Sequence, residues 1–152
     1  MLLATFRIFR PVDSFLGGCC MATLKGNRPM DTILIVEDDT FIREHIVMMV
    51  DSWGYGTLSA DDVSSALVHL RGPQTIDAIV TDVRLKSAAQ GGFELAQAAV
   101  LLRPAIKVLY ASGSPISGPV AQLQVAGSHH IRKPFTEQDL RGAVQHLLAD
   151  RP

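Results

Sequence analysis

Ile33-Leu34-Ile35-Val36-Glu37-Asp38-Asp39-Thr40 is the stretch whose reading decides the fold. Its four apolar residues, mostly β-branched, suit a short strand buried on both faces. The acids end that run, and Thr40 or Asp39 can cap a helix behind it. Phe41, Ile42, His45, Ile46, Met49, Val50 and Trp53 then recur at helical spacing, forming one apolar face that stops at Gly54 and Gly56. Trp53 and the Met48-Met49 pair are expected in the core.

Downstream the same alternation repeats. Tyr55 to Ser59 reads as a second strand, and Val63, Ala66, Leu67 and Leu70 mark a second helix stopped at Gly72-Pro73. Ile76 to Thr81 predicts a third strand, Phe93 to Leu102 a third helix ended by Pro104, and Ile106 to Ala111 a fourth strand. The loop from Asp82 to Gly92 is long and polar. Val120 to Val125 offers a short fourth helix, His129-His130-Ile131 an edge strand, and Asp139 to Ala149 a fifth helix with Leu140, Val144, Leu147 and Leu148 on one face. Five strands alternating with five helices imply an α/β fold, a doubly wound parallel sheet covered on both sides by right-handed crossovers.

Upstream, residues 1–30 show no strand or helix period, so the expectation is a flexible N-terminal extension followed by a single domain over 31–152. Met21 and Met30 both precede the first patterned segment, as an upstream mis-assigned start would produce. Arg7, Arg10, Pro11 and Asp13 interrupt any secretory core, and the segment before Leu16-Gly17-Gly18-Cys19 has the wrong composition for a lipoprotein cleavage box. The 152 residues are 47% hydrophobic and 19% charged, enough apolar material for one core and too little chain for two. Fourteen Lys and Arg against 15 Asp and Glu give a formal charge of -1, without the basic excess a phosphate backbone calls for, so no direct nucleic-acid partner is expected. Cys19 and Cys20 are adjacent and would staple nothing, which favours a reducing compartment. No run of 18 apolar residues occurs, so no membrane span is expected, and a cytoplasmic location follows.

In a doubly wound sheet the ligand site lies beyond the carboxyl ends of the strands. There the first strand delivers Glu37-Asp38-Asp39 and the third delivers Asp82. Carboxylates crowded together repel unless a cation neutralises them, and an all-oxygen donor set without Cys or His points to Mg2+ rather than zinc. Asp39, beside Thr40, reads as a helix cap. The fourth strand ends in Ser112, a hydroxyl donor, and the fifth is followed by Lys133-Pro134-Phe135, whose ammonium can hold an anionic oxygen. Metal, hydroxyl and ammonium around one carboxylate make a cradle for a phosphoryl group, with Asp82 as nucleophile. His129 and His130 make a poor metal pair, because neighbours on a strand point to opposite faces.

Glu37-Asp38, Asp82, Ser112 and Lys133-Pro134-Phe135, in this order and on these elements, resemble the receiver domain of bacterial two-component response regulators. The resemblance covers about Asp31 to Asp150 and implies the flavodoxin-like receiver topology. It assigns the phosphoacceptor to Asp82, the acidic metal pair to Glu37 and Asp38, and a further metal ligand to the main-chain carbonyl of Arg84. It also makes Ser112 the hydroxyl that follows phosphorylation, Lys133 the lysine before a cis proline, and His130 the occupant of a switch position that is commonly aromatic. Two departures stand out. No proline follows the phosphoacceptor closely, and Leu85 to Gly92 makes a longer loop than is usual in the family.

What the resemblance implies is a signalling phosphoacceptor, assisting its own Mg2+-dependent phosphorylation and dephosphorylation, rather than an enzyme. Because the chain ends at Pro152 directly after the last helix, the expectation is a single-domain regulator. Its donor would be a sensor histidine kinase or phosphotransfer protein, and its output a protein target met on the face of the fourth helix, fifth strand and fifth helix. The alternative is a receiver-like module that binds a partner without phosphorylation. A flavodoxin-type phosphate binder is disfavoured, since Glu37-Asp38-Asp39 would repel FMN. A metal-dependent aspartyl phosphatase would place a second acid where Arg84 stands.

Overall fold

A computed structural model describes residues 30–85 and 90–149. The expected 1–30 extension, Met30 excepted, and residues 86–89 of the long loop lie outside the described residues. The strands are β1 (Thr32–Val36), β2 (Gly56–Ala60), β3 (Ala78–Asp82), β4 (Lys107–Ser112) and β5 (His129–Arg132). All pair in parallel in the order β2-β1-β3-β4-β5, so β1 and β3, the two strands that end in acids, are neighbours. The α-helices are α1 (Thr40–Ser52), α2 (Val63–Arg71), α3 (Gly91–Leu102) and α4 (Glu137–Ala149).

The two-residue period of β1 divides the core. Ile33 and Ile35 face α1 and α4, meeting Ile46, Met49, Val50, Leu140, Val144 and Leu147. Leu34 and Val36 face the other layer, meeting Ala66 and Leu70 of α2 and Leu95 and Ala99 of α3. Each helix start has a local cause. Asp39 caps α1, its carboxylate accepting from the Phe41 and Ile42 amides, and Asp62 and Ser65 form a reciprocal capping box on α2. Thr136 and Asp139 exchange the same bonds at the head of α4, which therefore begins at Glu137, two residues before the sequence pattern suggests. At the lower end of the α2/α3 layer, Arg103 Nε donates to the Leu70 carbonyl at 2.9 Å and an Arg103 Nη to the Gly72 carbonyl at 2.8 Å.

All five expected helices are present, and three details differ from the sequence pattern. The fourth helix is a single 3-10 helix, Gly118–Leu123, with no buried residue. It starts on Gly118-Pro119 and packs on the core only through the partly buried Leu123 at its end, so little favours extending it into α-helix. Met48 is exposed while Met49 is buried, and Phe41 and Ile42 also face solvent. α1 needs only the narrow stripe Ile46, Met49 and Val50 to cover β1, which turns the remaining apolar positions outward. Trp53 is half-buried at the end of α1, packed on the core while its indole N–H donates to Glu137 at 3.1 Å.

Candidate functional site

Register decides what meets at the upper edge of the sheet. Val36 lies opposite Thr81 and Asp82 opposite Ala111, so Glu37, Asp82 and Ser112 emerge side by side from β1, β3 and β4. Glu37 is buried and Asp82 is partly buried. Lys133, just past β5, reaches back over two strands: its ammonium donates to Glu37 Oε2 at 2.5 Å and to Asp82 Oδ2 at 2.9 Å. Pro134 follows it through a cis peptide bond, as the resemblance implies. Asp82 Oδ1 accepts from the Arg84 amide at 3.2 Å, which sets Arg84 beside the carboxylate.

One carboxylate oxygen each from Glu37, Asp38 and Asp82 falls within a mutual 4.8 Å, and among the described residues this is the group suited to a metal ion. Three carboxylates gather around the ammonium of Lys133, and the donors they offer a metal ion are all hard oxygens, the set a small divalent cation prefers. Burial raises the Glu37 carboxyl above the usual range, and the nearby Asp82 charge adds to this; the attraction of Lys133 offsets it only in part. Burial alone would lower Lys133, but its hydrogen bonds to Glu37 and Asp82 outweigh that and hold the ammonium above its ordinary value. Lys133 is therefore a fixed cation at neutral pH.

The response regulator receiver domain family matches residues 33–145. The chain belongs to that family. Among solved structures, the receiver domain is similar to a response regulator receiver protein from Sinorhizobium medicae, at 27% identity over 82% of this chain and 98% of the other, with a TM-score of 0.74. It is likewise similar to a CheY-like receiver from Methanospirillum hungatei, at 25% identity over 80% and 95% of the two chains, with a TM-score of 0.71. The fold is shared with the response regulator TrrA of Thermotoga maritima, described as a Mg2+ and beryllofluoride complex, at 22% identity over 78% of this chain and 100% of that one, with a TM-score of 0.66. A probable transcriptional regulatory protein of Picosynechococcus is 28% identical over 76% of this chain. The receiver domain spans about half of that relative, 48% of its length. Receiver domains bind Mg2+ at an acidic pocket, and the Glu37, Asp38 and Asp82 cluster fits such an ion.

Other residues expected at the site stand less close to the carboxylates. Ser112 ends β4 as expected, but its hydroxyl donates to the Ser114 carbonyl at 2.7 Å and accepts the Ser114 amide at 3.2 Å, turned into its own loop. His130 is exposed on β5, while His129 points to the opposite face and stacks on His146 with ring centroids 4.9 Å apart. Asp39 is a helix cap and sits outside the carboxylate group.

Sequence reasoning missed two supports. Arg43, four residues beyond the Asp39 cap, donates to the Glu37 carbonyl at 2.7 Å and fixes the chain that carries the acidic pair; its helical position was readable, its partner was not. Gly92 presses on the end of β3: a Cβ there would lie 2.2 Å from the Asp82 carbonyl oxygen and 2.8 Å from Val83 Cα. Across the mouth, a Cβ on Gly113 would meet an Arg84 Nη at 3.7 Å, so the Arg84 guanidinium spans from the β3 loop to the β4 loop.

Proposed function

We propose that Asp82 accepts a phosphoryl group from a phosphohistidine on a sensor histidine kinase or phosphotransfer protein, and that the phosphorylated domain signals through protein contacts. The observation that carries this reading is the single ammonium of Lys133 held between Asp82 and Glu37, beside Asp38. Glu37, Asp38, Asp82 and the main-chain carbonyl of Arg84 would hold Mg2+, which supplies charge neutralisation as phosphoryl oxygens approach. An Asp82 oxygen attacks phosphorus as the bond to the donor nitrogen breaks, and Lys133 pairs with a phosphoryl oxygen in place of the carboxylate oxygen it now holds. Ser112 exchanges its Ser114 partner for another phosphoryl oxygen. Output then arises on the face of the 3-10 helix, β5 and α4, where His130 stands exposed.

An apolar cleft of about 540 Å³ beside Lys133, lined by Phe41, Ile42, His45, Ile46, Pro134 and Phe135, supports the donor assignment. A partner bringing phosphorus to Asp82 must cover this surface, and Phe41, 85% exposed, offers it a hydrophobic anchor. The test is intact-mass measurement after incubation with acetyl phosphate, with and without Mg2+. One phosphoryl addition that requires Mg2+ and vanishes in Asp82→Ala is expected; full uptake in Asp82→Ala would overturn the assignment.

A further inference from the structure

Beneath the loop that follows Ser112 lies a polar side chain that the chemistry above leaves unused. Tyr110 is fully buried, two residues before Ser112 on β4 and therefore on the same face of the sheet. Its ring packs on Phe93 with centroids 4.9 Å apart and planes tilted by 48°. Phe93 directly follows Gly92, the residue pressed against Asp82, so the ring pair sits between the two loops that flank the phosphoacceptor. The Tyr110 hydroxyl accepts the Val125 amide at 3.4 Å. Burial raises the phenol above its usual range, so it stays neutral and able to accept.

What this hydroxyl holds is a lightly anchored strap, residues 113–125. The 3-10 helix within it has no buried residue. Its apolar ties are Ile116, Leu123 and Val125, all packed on the cluster of Val83, Phe93, Ala96, Val108 and Tyr110. Gln97 Nε2 adds a bond to the Leu123 carbonyl at 3.4 Å. Thus the strap is fastened near its start by the Ser112 hydroxyl and near its end by the Tyr110 hydroxyl, both delivered by β4. Tyr110 is also the ladder partner of His130.

We infer that Tyr110 is the positioning residue through which the state of Ser112 reaches the protein surface: it pins the far end of the 113–125 strap, so that releasing the near end swings the 3-10 helix about Val125. This rests on the phosphoacceptor reading, because Ser112 leaves Ser114 only for a new acceptor. His130 is not part of the device.

Amide hydrogen exchange on the full chain tests this in the parent, Tyr110→Phe and His130→Ala, each with and without acetyl phosphate and Mg2+, with uptake checked by intact mass. In the parent and in His130→Ala, phosphorylation should speed exchange over residues 113–119 while 121–125 stays protected. In Tyr110→Phe, which removes one hydroxyl and keeps the ring, residues 121–125 should exchange about threefold faster or more even without phosphate, as expected for losing a hydrogen bond. Phosphorylation should then loosen the whole strap. Parent-like protection of 121–125 in Tyr110→Phe would overturn the inference, as would acceleration spread evenly over β1, β3 and β4, which would give Tyr110 a packing role only. Absence of phosphoryl uptake in the parent would refute the phosphoacceptor reading, while the unphosphorylated comparison still decides whether Tyr110 pins the strap.

Discussion

Replacing Gly92 by alanine should damage stability and phosphorylation together. The added methyl carbon would sit 2.2 Å from the Asp82 carbonyl oxygen, 2.8 Å from Val83 Cα and 3.0 Å from the Asp82 carbonyl carbon. All three are backbone atoms that cannot rotate away. Ordinary contact needs more than an ångström of extra separation, so either the first turn of α3 or the end of β3 must shift. That movement strains the Gly92 amide bond to the Val83 carbonyl, now 3.1 Å. Overpacking of this kind plus a weakened hydrogen bond costs about 2–4 kcal/mol, or roughly 5–15 °C in melting temperature for a domain of this size. Gly142, inside α4 with nothing within 4 Å of its Cβ position, is the matched control. There alanine should stabilise by about 0.5–1 kcal/mol through helix propensity. Urea denaturation followed by far-UV circular dichroism measures both, and intact mass after acetyl phosphate measures uptake. If Gly92→Ala melted with the parent and accepted phosphate at the parental rate, the close approach would not constrain Asp82 and the reasoning would fail.

Asp38→Asn removes one carboxylate charge from the acidic group, and Mg2+ affinity by calorimetric titration should fall about tenfold or more; parental affinity would refute the ligand assignment. Asp39→Ala should cost about 1 kcal/mol and Asp39→Asn almost nothing, with phosphoryl uptake retained in both, because Asp39 acts as a cap. Loss of uptake in Asp39→Asn would instead make it part of the site. The Glu37 carboxyl, raised mainly by burial, carries a pH signature in metal-free protein. A raised folded value means the native state holds its proton more tightly. Glu37 therefore favours folding at pH values below its ordinary 4.5, and that contribution is lost as pH rises through the folded value. Melting in EDTA should show the parent gaining on Glu37→Gln as pH falls from 7 toward 4.5, and a constant difference between the two would count against the buried carboxylate.

The order and type of the elements were legible because the period changes sharply along this chain. β1 carries the continuous apolar run Ile33 to Val36, β4 carries Val108 to Ala111, and α4 repeats Leu140, Val144, Leu147 and Leu148 at helical spacing. The gathering of side chains was legible wherever topology alone forces convergence, as for Glu37, Asp38, Asp82 and Lys133. Contacts between elements were not. No local signal says that the Ser112 hydroxyl turns to Ser114, that Tyr110 reaches Val125, or that Phe41 and Met48 face solvent on a helix whose other side fills the core. Gly92 was visible only as a loop end, since the atom it would collide with lies ten residues upstream and depends on how α3 docks.

Arg103 reaches from the end of α3 to the Leu70 and Gly72 carbonyls, and so closes one helix with a residue belonging to the other. The last carbonyls of an isolated helix would open to water freely. Here the end of α2 cannot fray until α3 also loosens at Arg103, which joins the two helices into one cooperative opening unit. Slow-exchanging amides near the end of α2 should then share an opening free energy with those at the end of α3. Lysine at position 103 would break that agreement, because a single ammonium lacks the planar fork that spans both carbonyls.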